Sequence, residues 1–251
     1  MHQPTVRVLE VLNYIISHNS GLSLADLSRG LSIPKSTLLP IMQTLCDYGY
    51  ICKNADGSYG VGVSLYSLGT HLNGKFPVLD FAKQKLKDLV AEFGETCYLG
   101  ILRGGNVLYL DKEESTNPLR MLVDSGRTLP AYATGIGKAL ICQMTKKELT
   151  NLYPDGLKSL TPKTVTDFDV LAQQLESFQK KGYSQEIEES TLHIRCFGVP
   201  VFKFGKIHAA ISIAIPVFRY EKSMEKKITD KLKSVAKDIQ NVLETTNTEL
   251  V

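Results

Sequence analysis

The chain has 251 residues, enough for two modest domains. At 43% hydrophobic and 22% charged it reads as an ordinary globular protein, and the lack of any apolar run of 18 residues excludes a transmembrane helix; no membrane partner is expected. The net charge of +3 points to no partner class: residues 1–70 hold four basic (Arg7, Arg29, Lys35, Lys53) and four acidic side chains (Glu10, Asp26, Asp47, Asp56).

Residues 5–18 place Val6, Leu9, Val11 or Leu12, and Ile15 or Ile16 at helical spacing. Ser23-Leu24-Ala25-Asp26 reads as an N-cap with an acid three positions on, opening a short helix that stops at Gly30. Leu31-Ser32-Ile33 is a tight connection, and Pro34 suits the first position of a third helix, which runs to about Tyr48 and ends at Gly49. Two short β-type runs then flank Asp56-Gly57, the signature of a hairpin. Helix, helix, turn, helix and hairpin within about 60 residues make a helix-turn-helix with a wing.

Residues 64–94 read as mostly helical, interrupted at Phe76-Pro77. Val78, Phe81, Ala82, Leu86, Leu89 and Phe93 keep one apolar face, which offers a dimer surface on a linker helix. Beyond Gly94, strands are expected over 96–102, 107–111, 119–123, 197–202 and 208–215. Helices are expected over 135–143, 145–152, 167–181 and 221–245. Strands mixed irregularly with helices suggest an α+β domain on an antiparallel sheet.

The N-terminus, Met1-His2-Gln3-Pro4, lacks the basic and apolar regions of a secretory signal, so a cytoplasmic location is expected. Five cysteines (Cys46, Cys52, Cys97, Cys142, Cys196) are scattered without a C-x-x-C and read as reduced thiols packed as small hydrophobes. Neither a metal site nor a cofactor is expected.

Leu38, Ile41 or Met42, and Leu45 share one face of the third helix, which leaves Ser36, Leu39, Pro40, Gln43 and Asp47 opposite. A recognition helix puts its N-terminal residues in the major groove. Lys35 can pair with a phosphate; Ser36 and Thr37 can donate to phosphate or base edges; Gln43 can grip adenine and Leu39 a thymine methyl. Lys53 on the hairpin is the remaining candidate for contact with double-stranded DNA. Pro40 should kink the helix and re-aim the residues beyond it. The same bundle would also serve a regulator that works through protein contacts.

Val8-Leu9-Glu10-Val11-Leu12, Gly21-Leu22-Ser23-Leu24-Ala25-Asp26-Leu27, Ile33-Pro34-Lys35-Ser36-Thr37, Tyr48-Gly49-Tyr50 and Asp56-Gly57-Ser58-Tyr59 resemble the winged-helix domain of the IclR family of bacterial transcription regulators. The family usually has a basic residue where this chain has Leu39-Pro40. The later segments Leu102-Arg103-Gly104-Gly105, Leu129 through Leu140, Lys181-Gly182-Tyr183, Glu188-Glu189, Ile194-Arg195-Cys196 and Ala209 through Ile213 resemble the same family's effector-binding domain. The resemblance implies residues 1–66 as a winged helix-turn-helix domain, 67–94 as a linker helix region, and 95–251 as a GAF-like effector-binding domain. It also implies a homodimer or homotetramer.

Thr134-Gly135-Ile136-Gly137-Lys138 supports a ligand site on its own chemistry, because a glycine-bearing turn opening a helix presents bare N–H groups to an anion. A tight turn with a solvated lysine fits the same residues. Transfer from family members that bind small organic acids places a carboxylate on the backbone of Gly135 and Ile136. Glu186, Cys196, Ser212 and Ala214 would line the rest, with Met121 and Leu129 as apolar walls. Glu186 stands for a shorter acid and Ala214 for a serine, changes that alter which effector fits. Cys196 reads equally as a core thiol, and His193 and Arg195 as surface residues. No nucleophile elbow, HExxH, Walker or Rossmann pattern suggests an enzyme. The implied function is an effector-responsive regulator that senses a small carboxylate and controls a catabolic operon.

Overall fold

The computed structural model describes residues 1–18, 21–70, 76–118, 128–246 and 250. The chain divides into two compact units, residues 1–75 and 76–251.

In the first unit, α1 (Gln3–Ile16), α2 (Leu24–Leu31) and α3 (Lys35–Asp47) precede a hairpin of β1 (Ile51–Lys53) and β2 (Tyr59–Val61), and α4 (Val63–Thr70) comes next. The start of α2 is the expected capping box: Ser23 Oγ accepts the Asp26 N–H at 3.2 Å, and Asp26 Oδ2 accepts the Ser23 N–H at 3.1 Å. The Ser23 hydroxyl, which donates to Asp26 Oδ2 at 2.5 Å, and the Ser23 N–H hold the Asp26 carboxyl below its usual range. The α2–α3 turn is closed by Ser32 in the left-handed region (φ 53°) and by Ser28 Oγ, which donates to Ile33 O at 2.7 Å. Val11, Ile15, Leu27, Leu38, Met42 and Leu45 interlock beneath Ile51 and Tyr59 of the hairpin. Pro34 sits one position earlier than expected, at the N-cap of α3.

The second unit opens with α5 (Pro77–Phe93), ended by Gly94 at φ 70°. Its strands are β3 (Thr96–Arg103), β4 (Asn106–Glu113), β5 (Thr128–Pro130), β6 (Ser184–Ile187), β7 (Ile194–Lys203) and β8 (Lys206–Pro216). Among the described residues they form one antiparallel sheet in the order β5-β4-β3-β8-β7-β6. Sequence reading missed β5 and β6, which have three and four residues, too few to show a period. The strand expected over 119–123 lies outside the described residues.

Alternation assigns each strand residue to a face. Cys97, Leu99, Phe197, Val199, Ile211 and Ile213 point toward α5 and α9 (Met224–Thr246). Tyr98, Tyr109, Cys196, Ala210 and Ala214 point toward α6 (Gly135–Leu140), α7 (Lys146–Leu152) and α8 (Phe168–Lys181). The apolar face of α5 is therefore not a dimer surface. Val78, Ala82, Leu86 and Leu89 are fully buried within their own unit, because a sheet with one bare face needs a cover.

Candidate functional site

The outer face of α3 carries Lys35, Ser36, Leu39, Pro40 and Gln43 in solvent, with Thr37 half-buried. Leu39 is 50% exposed. The helix runs through Pro40 to Asp47 without a break. Pro40 supplies no N–H for Ser36 O, while Thr44 Oγ1 donates to Pro40 O at 2.9 Å. The first turn of α3 holds a lysine and no acid, an arrangement the helix dipole disfavours until an anion arrives. Lys53 lies on the wing with its ammonium 5.8 Å from the Tyr59 ring centre. Arg29 lies 3.7 Å from Asp26, and among the described residues neither Lys35 nor Lys53 has an ion pair.

In the second unit, the expected effector residues converge beneath α6. Glu186 on β6 pairs with Cys196 on β7, and Cys196 pairs with Ala214 on β8. Ser212 lies two residues along β8, opposite Tyr98 of β3. Each of these side chains is buried on the sheet face toward α6. The helix start is pressed onto that face. A Cβ on Gly135 would stand 2.7 Å from Cys196 Cβ, and one on Gly198 would stand 2.5 Å from Gly135 O, so only glycine permits the approach. Ser184 Oγ fixes it by donating to Gly135 O at 2.6 Å. Thr134 Oγ1 caps the helix by accepting the Gly137 N–H at 3.0 Å. Ile136 is buried over Gly100. Leu129 is half-buried on β5, at the opposite edge of the sheet from Glu186, and Met121 lies outside the described residues.

Lys138 overturns the reading of a solvated lysine. It is fully buried, donating to Glu189 Oε1 in a short hydrogen bond and to Gln174 Oε1 at 2.9 Å. Burial lowers its affinity for the proton and Glu189 opposes that. Glu189 Oε2 also accepts the Val165 N–H at 3.2 Å, and Glu186 Oε2 accepts the Glu189 N–H at 2.8 Å. One buried cation thus faces two buried carboxylates. Burial pushes the Glu186 carboxyl up to about 7, although the Glu189 N–H and Cys196 favour its charged form. Burial and the neighbouring Glu186 push the Cys196 thiol well up, so it is a packed donor and not a thiolate. Sequence reading missed the buried pairing of Lys138 with Glu189 and Gln174, and the edge-to-face pair Tyr98–Tyr109, whose ring centres are 5.3 Å apart. The available signal was the lysine one turn into a glycine-rich helix start.

His193 is exposed, whereas Arg195 stacks 3.9 Å from the Tyr220 ring centre on the other side of the sheet. Neither faces α6. All five cysteines are free thiols. Among the described residues no group of three His, Cys, Asp or Glu side chains is placed to hold a metal ion, and no helix is long and apolar enough to cross a membrane.

Residues 4–55 match the family model of the IclR helix-turn-helix domain, and residues 71–241 that of the bacterial transcriptional regulator IclR C-terminal domain. The HTH-type transcriptional regulator XynR of Escherichia coli is 32% identical over 216 residues, covering 84% of this chain and 85% of XynR. The crystal structure of an IclR transcriptional regulator from Alicyclobacillus acidocaldarius has the same fold, with a TM-score of 0.85 at 22% identity over 96% of this chain and 98% of that one. An IclR homolog from Microbacterium hydrocarbonoxydans, solved in complex with 4-hydroxybenzoate, matches with a TM-score of 0.80 at 20% identity over 95% and 98% of the two chains. Winged helix-turn-helix and antiparallel-sheet unit thus occur here in the same order as in those regulators, and the chain belongs to the IclR family of bacterial transcriptional regulators.

Proposed function

We propose that this regulator binds its operator through Lys35, Ser36, Thr37, Leu39 and Gln43 of α3, with Lys53 of the wing on the adjacent backbone. Residues 1–66 would carry DNA binding and 95–251 effector binding, joined by 67–94, with the protein acting in the cytoplasm on a catabolic operon. A homodimer would set two α3 helices on a pseudo-palindromic site. With the α5 face used internally, α4 is the better dimer surface: none of its residues is buried, and Val63, Tyr66 and Leu68 are each more than half exposed.

The effector is a small carboxylate seated at Gly135 and Ile136, against Glu186, Cys196, Ser212 and Ala214. Leu129, on the far edge strand, falls outside this patch. The observation that carries this reading is the convergence of polar groups from three strands on one buried patch beneath a glycine-opened helix. The 4-hydroxybenzoate bound by the Microbacterium homolog is a carboxylate of this kind. With burial pushing the Glu186 carboxyl up to about 7, it carries only part of its charge near neutrality, which lessens its repulsion of a carboxylate effector.

Fluorescence anisotropy with the intergenic DNA beside the protein's own gene tests the reading. Saturable binding that survives competitor DNA, and that a screened organic acid modulates, supports it. Folded protein that binds with no dependence on salt points instead to a regulator working through protein contacts. Ser212→Val should abolish the effector response and leave effector-free DNA binding intact; a normal response in the variant would move the pocket elsewhere.

A further inference from the structure

A cavity lies beside β7, past the point where β6 stops pairing at Ser184. It has a volume of about 270 Å³, near the lower end for a small-molecule site. It exists because neighbouring strands differ in length. The four-residue β6 ends its pairing at Ser184 opposite Gly198, while β7 continues to Lys203. From Val199 onward β7 has β8 on one side and, among the described residues, no strand on the other. Phe178 of α8 closes one wall and Ala236 of α9 the other, and Val199 and Phe202 form the floor.

The chemistry of the lining selects an occupant. The lining is mainly apolar, interrupted by the neutral side chains of Gln143, Gln179 and Gln240, and two lysines of α9, Lys233 and Lys237, line it one helical turn apart. Among the described residues no aspartate or glutamate lines the cavity. Lys233 is held in place: its ammonium donates to Lys181 O at 2.7 Å and sits 5.2 Å from the Tyr183 ring centre, with two of its three donors left over. Lys237 is exposed and has neither hydrogen bond nor ion pair among the described residues. A mainly apolar cleft with cations along α9 complements an amphiphilic anion, with its chain on the floor and its head between the lysines.

We propose that this cavity is a second ligand site, distinct from the one beneath α6, and that it takes a monocarboxylate with a short alkyl or aromatic body. The two sites share a wall. Ser184 lines the cavity, and its hydroxyl is the group that holds Gly135 O at the start of α6. A ligand here would bear on the residue that positions that helix start.

The test is titration of the full-length protein with octanoate by isothermal calorimetry, together with saturation-transfer NMR. Octanoate should bind at one per protomer in this cleft. Lys233→Gln/Lys237→Gln, a surface change that spares the core, should weaken it at least about tenfold. Ala236→Trp, which fills the cleft, should abolish it. Ser212→Val, at the other site, should leave octanoate affinity unchanged. The proposal is overturned if octanoate does not bind to wild-type protein, or if its binding is indifferent to both cleft variants. Loss in Ser212→Val with retention in the cleft variants overturns it too, and assigns octanoate to the site beneath α6. Because octanoate binding is read without DNA, its failure is separable from failure of the operator reading.

Discussion

Lys35→Ala gives the sharpest test of how the first unit engages DNA, because so few cations are available on its surface. Residues 1–70 are charge-balanced; among the described residues Lys35 on α3 and Lys53 on the wing are the cations of the proposed contact, and Arg7 on α1 and Arg29 beside Asp26 are the others. A dimer would then neutralise about four phosphates, and affinity would fall with the logarithm of salt at a slope of about −3.6. Between about 50 and 200 mM salt, affinity drops about 150-fold on that slope. Removing Lys35 from both protomers leaves about two contacts, a slope of about −1.8, and a loss of only about 12-fold over the same range. Lys35→Ala should also weaken binding at low salt by similar factors for cognate and unrelated DNA, since phosphate contacts carry no sequence information. The assay is fluorescence anisotropy at five or more salt concentrations. An unchanged slope in the variant would refute the phosphate role of Lys35. A wild-type slope near twice the expected value would show that other cations carry the contact.

Lys138→Met should destabilise the second unit by about 3–5 kcal/mol, because it strands the Glu189 carboxylate in the interior. Lys138→Met/Glu189→Gln should recover much of that in urea denaturation, and no recovery would mean that packing rather than charge sets the loss. Glu186 titrates near 7 in the folded chain and near 4.5 when unfolded, so the folded state holds the extra proton between those values. Its contribution is full below about pH 4.5 and is lost as pH rises to about 7, by about 3 kcal/mol. Glu186→Gln should flatten that part of the stability profile; an unchanged profile would assign it to another group. Gly135→Ala forces a Cβ to within 2.7 Å of Cys196 Cβ and should cost about 1–3 kcal/mol in thermal or urea melts, together with the effector response. Wild-type stability and response would show that α6 can lift from the sheet.

Local chemistry in the sequence determined the first unit almost completely. Ser23 and Asp26, Gly49, Asp56-Gly57 and the spacing of Leu38, Met42 and Leu45 are contacts between near neighbours, so each can be read within a short window. The same holds for the long helices of the second unit and for the strands with eight or more residues. Resemblance supplied the candidate effector residues; the order of the strands then placed Glu186, Cys196, Ala214 and Ser212 together, and the packing of α6 brought Gly135 onto them. Long-range packing decided the rest. Whether the apolar stripe of α5 faces a partner or its own sheet depends on strands that come later in the chain. Whether Lys138 is solvated depends on Glu189 and Gln174, 51 and 36 residues away. The charge on Glu186 is set by that burial, since a carboxyl group has no shifted titration until the fold removes its water.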